Sequence, residues 1–72
     1  MKLKLSGIPN IISEHEISRI FSELGTVTSV RKNFRTDATY ITMKYEEQGR
    51  KAIEKLNGSK LFGHTITVEE SE

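Results

Sequence analysis

Apolar residues recur along this chain first at a period of two, then at 3.6, and that alternation restricts its fold more than any other feature. Residues 1–6 contain Lys2-Leu3-Lys4-Leu5-Ser6. Such strict alternation marks a strand with one wet face, here with Leu3 and Leu5 turned to a core. Gly7, Pro9 and Asn10 break it. Ser13-Glu14-His15-Glu16 then forms a capping box. In that motif the Ser13 hydroxyl accepts from the Glu16 amide while the Glu16 carboxylate reaches back to the amide of Ser13. Behind it, Ile17, Ile20, Phe21 and Leu24 follow the i, i+3, i+4, i+7 spacing of one helical face, and Gly25 is the expected stop.

The cycle repeats. Residues 27–32 are rich in β-branched side chains and read as a second strand. A polar connection over 33–37 carries one aromatic, Phe34. In 38–44, Thr39, Ile41 and Met43 share the more apolar face, while Ala38, Tyr40, Thr42 and Lys44 share the other. A second helix is expected over 46–56, with Ala52, Ile53 and Leu56 inward. Gly49 inside it costs about 1 kcal/mol relative to alanine, which implies a close neighbour. Asn57-Gly58 ends the helix. A loop through Leu61, Phe62 and Gly63 leads to a last strand over 64–69 with Ile66 and Val68 inward, followed by an acidic tail over 69–72.

The order β-α-β-β-α-β is the split βαβ arrangement. An α+β, ferredoxin-like sandwich satisfies every apolar face: a four-stranded antiparallel sheet with two helices on one side and the other side open. Seventy-two residues suffice for one such domain, residues 1–72, with a small core and a stability of about 5 kcal/mol or less. Both ends stop close to strand signals, as in a domain cut from a longer protein. There are no cysteines, the pattern of an intracellular domain. No signal peptide or membrane-length apolar run is present, so no membrane partner is expected.

The loop and strand residues also resemble the RNA recognition motif, over essentially the whole chain. Leu3-Lys4-Leu5-Ser6-Gly7-Ile8 fits that family's first-strand hexamer. Tyr40-Ile41-Thr42-Met43 sits at the end of its strand-three octamer. Ala52-Ile53-Glu54-Lys55-Leu56-Asn57-Gly58, followed by Leu61-Phe62-Gly63-His64, is similar to its C-terminal half. The resemblance implies single-stranded RNA as partner, with bases stacked on open-face aromatics. Two of the three usual aromatics are replaced, by Lys4 and Ala38, and only Tyr40 remains. Thr36 and Asp37 stand where a basic residue and a glycine usually begin the octamer.

The net charge of +1 is nearly neutral, so placement decides. Alternation puts Lys2, Lys4 and Lys44 on the open face. Arg31, Lys32 and Arg35 flank it, with their facing left open. Glu14, Glu16, Glu23, Glu46, Glu47 and Glu54 fall on the helices, giving an acidic back. The expected RNA-binding set is Tyr40, Lys4, Lys2, Lys44, Arg31, Lys32, Phe34 and Arg35. Each has a plainer reading: a solvated strand tyrosine, a solubilising lysine, edge-strand charges that block aggregation, or a phenylalanine tucked into a core margin. Thr65 and Thr67 are either base contacts or strand fillers. His15 and His64 lack acid or cysteine partners, so no metal, cofactor, catalysis or small-molecule substrate is expected. Small phosphatases and metal carriers of similar topology use a loop arginine or paired cysteines; neither occurs here. The alternative to RNA is a protein partner on the helical face. One variant group of the family grips a peptide with Arg-x-Phe and acidic residues of the first helix, and Lys60-Leu61-Phe62 with Glu14, Glu16 and Glu23 faintly resembles that pattern.

Overall fold

A computed structural model describes residues 1–71. Its elements are β1 (Lys2–Ser6), α1 (Glu14–Ser22), β2 (Val27–Asn33), β3 (Ala38–Met43), α2 (Glu46–Leu56), β4 (Lys60–Leu61), β5 (His64–Thr65) and β6 (Thr67–Ser71). Four strands form an antiparallel sheet in the order β2-β3-β1-β6, and β4 pairs with β5 in a separate hairpin. The sheet contributes Leu3, Leu5, Ile41, Met43 and Val68 to one buried cluster. Ile17 and Phe21 of α1, Ala52 of α2, and Ile8 and Ile66 complete it. Both helices therefore cover the same sheet face, the α+β, ferredoxin-like sandwich that the periodicities require.

Four local features differ from the sequence reading. Half of the capping box forms: the Glu16 amide donates to Ser13 Oγ at 3.1 Å, while the Glu16 carboxylate lies 3.8 Å from Arg19, one turn on. The opposite charge at i+3 competes for the carboxylate. Helix α1 ends at Ser22, and Gly25 is not in the left-handed region. Its missing side chain instead admits Gln48, whose Oε1 accepts from the Thr26 amide at 2.8 Å. The last strand is split at Ile66, whose backbone leaves the ladder to bond Ser59 and Gly58 at 2.9 Å each. It then runs on to Ser71, so Glu69 and Glu70 are strand residues opposite Lys4 and Leu3, not a tail; Glu72 lies outside the described residues.

The fourth difference is electrostatic. Helices α1 and α2 carry Glu14, Glu16, Glu46, Glu47 and Glu54, but also Arg19, Arg50, Lys51 and Lys55. The helical side is thus mixed rather than acidic, and Arg50 pairs with Glu46 at 3.1 Å. The expected close neighbour of Gly49 is present: the glycine is buried, and an added Cβ would collide with the Met1 side chain. Met1 is held there by two exchanges with Met43, its own amine donating at 2.9 Å and its carbonyl accepting at 2.8 Å.

Candidate nucleic-acid interface

The face of the sheet away from the helices is ordered in transverse rows by strand register. Tyr40 on β3 is opposite Arg31 on β2 and Lys4 on β1, and Lys4 is opposite Glu69 on β6. One row therefore reads Arg31-Tyr40-Lys4-Glu69. The next reads Ser29-Thr42-Lys2-Ser71. Neighbouring strands lie about 4.8 Å apart, so each row spans about 15 Å. A bulge at Thr28, whose hydroxyl donates to Thr42 O at 3.2 Å, sets the phase of β2. That phase settles the facing of the two basic residues: Arg31 belongs to the open row, and Lys32 is opposite Thr39, which is buried.

Between the β2 edge and Tyr40 the surface sinks into an open groove of about 860 Å³. Lys2, Arg31, Phe34, Arg35, Tyr40 and Thr42 are among the residues that line it. Phe34 is 75% exposed and is not tucked into the core. Its loop is held in shape from below. Asn33 Oδ1 accepts from the amides of Arg35 at 3.0 Å and Thr36 at 3.3 Å, an Asx turn. The Asp37 amide closes the turn onto Asn33 O at 2.9 Å, with Asp37 at φ 60°. Asp37 occupies a position that glycine fills more easily, and aspartate is among the residues that tolerate it best.

Two candidates, and the position of one replaced aromatic, sit differently. Lys32 also borders the groove, but its ammonium donates to Asn10 O and its amide to Glu14 Oε2 at 2.8 Å, tying β2 to the β1–α1 loop and to the start of α1. Lys44 lies beyond the end of β3, 5.6 Å from the Tyr45 ring centroid, away from the groove lining. Ala38 is 3% exposed, so the site of the replaced aromatic is closed over rather than an open gap. Thr65 and Thr67 are exposed, one in the β4–β5 hairpin and one on β6. Sequence reasoning did not single out Ser29, Asn33 and Thr42 in the groove or Glu69 beside Lys4. The signal for Glu69 was its outward phase, but the pairing with Lys4 needs the β1–β6 register.

On the opposite side, Glu16, Glu23 and Phe62 border a shallow cleft of about 270 Å³ together with Ile20 and Arg19. Phe62 sits in the β4–β5 turn at φ 51°. Glu14 is turned toward Lys32 instead. Among the described residues His15 and His64 join no group of three or more potential metal ligands. No helix among the described residues is long and apolar enough to cross a membrane.

The RNA recognition motif family matches residues 3–67, and the chain belongs to that family. An uncharacterized RNA-binding protein of Schizosaccharomyces pombe is 32% identical over 76 residues, covering 97% of this chain and 26% of the relative. The chloroplastic RNA-binding protein CP33 of Arabidopsis thaliana is 32% identical over 73 residues, covering 93% of this chain and 22% of its own. The chain thus spans about a quarter of the length of these relatives. Among solved structures, the RRM3 domain of Mip6 superposes with a TM-score of 0.90 at 26% identity, over 94% of this chain and 89% of that one.

Proposed function

We propose that residues 1–72 act as a single domain that binds single-stranded RNA, without catalysis and inside the cell, through the open sheet face and the groove at its β2 edge. The observation that carries this is the joint lining of that groove by Tyr40 and Phe34 with Arg31, Arg35 and Lys2. Aromatic rings beside cations are what successive bases and phosphates need: a stacked base contributes about 1–3 kcal/mol, and each neutralised phosphate releases counterions. The relatives of this chain bear the name RNA-binding protein, which agrees with the reading.

Stacking on two rings instead of three sheet aromatics makes the isolated domain a weak binder, with affinity in the micromolar range or poorer and limited sequence preference. The helical cleft is the less favoured site. Arg19 lies within it, against the Glu16 carboxylate that a cationic peptide would need. A protein partner there would still leave the sheet free for RNA, since the two faces are opposite. The test is titration with short single-stranded RNA at two salt concentrations, followed by amide chemical shifts. Shifts on β1, β2 and β3 with a negative salt slope support the reading, and Arg31→Ala should lessen that slope by about 0.7. Unperturbed sheet amides, or a Tyr40→Ala variant that binds as well as the parent, would sink it.

A further inference from the structure

Glu69 is the one feature of the open face that a surface built only for phosphate does not explain. It is exposed, lies opposite Lys4, and among the described residues takes part in no ion pair. A carboxylate there repels phosphate, so the sugar-phosphate track belongs at the other end of the row, by Arg31 and Arg35. A nucleotide whose backbone lies on that side and whose base rests on Tyr40 points its Watson–Crick edge away from the sugar, toward β1 and β6. Lys4 is one strand spacing and Glu69 two spacings, about 10 Å, from Tyr40 along that direction.

We infer that Lys4 and Glu69 form a base-reading pair selective for guanine on Tyr40. The inference rests on the RNA-binding reading and adds a specificity to it. An ammonium group only donates and a carboxylate only accepts. The pair therefore fits an edge with an acceptor beside donors. Guanine offers the O6 acceptor next to the N1 and N2 donors, so the carboxylate accepts two hydrogen bonds in parallel and the ammonium donates the third to O6. Adenine, cytosine and uracil each present a single donor position on that edge, and the carboxylate then faces a lone pair of the base. A bidentate, charge-assisted contact of this kind discriminates by about tenfold or more.

The experiment compares three hexanucleotides by fluorescence anisotropy: all-uridine, the same with one central guanosine, and the same with inosine there, which lacks the N2 amine. The parent chain is expected to bind the guanosine RNA about tenfold more tightly than all-uridine, and inosine should lose most of that gain. Glu69→Ala, a change at an exposed side chain, should lose the guanosine preference while binding all-uridine as well or better. If Glu69→Ala tightens binding to all three RNAs alike, the carboxylate only repels and the inference is overturned. Equal parent affinity for guanosine, inosine and uridine overturns it too, while leaving RNA binding intact. If the parent binds none of the three, the RNA-binding reading itself falls and takes this one with it.

Discussion

Replacing Phe34 by alanine separates binding from folding. The ring is 75% exposed and belongs to no part of the buried cluster. The Lys32 ammonium lies 5.9 Å from its ring centroid. An exposed cation–π contact contributes about 0.5–1 kcal/mol, so Phe34→Ala should cost no more than that in stability. Binding should suffer more. A stacked base lost from Phe34 removes about 1–3 kcal/mol, a five- to 150-fold rise in Kd. Urea denaturation and RNA titration on the same preparation give both quantities. A double-mutant cycle with Tyr40→Ala sharpens the result, because rings stacking on separate bases give additive losses to within about 0.5 kcal/mol. Phe34 is no stacking platform if Phe34→Ala leaves Kd unchanged, or if its loss of folding stability exceeds its loss of binding free energy.

Three further perturbations test the scaffold. Ser13→Ala removes the acceptor for the Glu16 amide and should lower stability by about 1 kcal/mol in thermal or urea unfolding. Asn57→Ala leaves the Val68 amide without the Oδ1 that it meets at 3.0 Å. The half-buried donor then goes unpaired, and stability should fall by about 1–3 kcal/mol, with early hydrogen exchange at Val68. Asp37→Gly relieves the positive φ at the loop and removes a negative charge near Arg35. It should raise stability by under about 1 kcal/mol and tighten RNA binding at low salt, and a weaker RNA complex would contradict the electrostatic reading.

Much of the fold was legible because period and burial agree residue by residue. Leu3 and Leu5, Thr39, Ile41 and Met43, and Ile66 and Val68 all lie inside, as their alternation requires. What was not legible depends on contacts between segments distant in sequence. Gly25 looks like a helix stop until Gln48 of α2 is seen to press on it. The 64–69 alternation continues smoothly through Ile66, yet the backbone there is claimed by Ser59 and Gly58. The open-face aromatic and lysines were found by phase alone. Their grouping was not, because a bulge at Thr28 decides whether Arg31 or Lys32 stands beside Tyr40. Lys44 shows the reverse limit: correct parity carries no residue into the groove once the strand has ended at Met43.

The β1–β6 register has a mechanical side as well. Lys2 stands opposite Ser71, so both ends of the described chain emerge at the same edge of one antiparallel ladder. Tension applied through those ends does not shear the ladder, where all its hydrogen bonds would resist together. It opens the ladder like a zipper from the Lys2–Ser71 pair, one pair at a time, toward Ser6 and Thr67. That ladder therefore yields at lower force than it would in shear. A machine that pulls on the C-terminal end to thread the chain meets first the edge strand carrying Glu69, whereas the strand at the other end, β1, is held between β3 and β6.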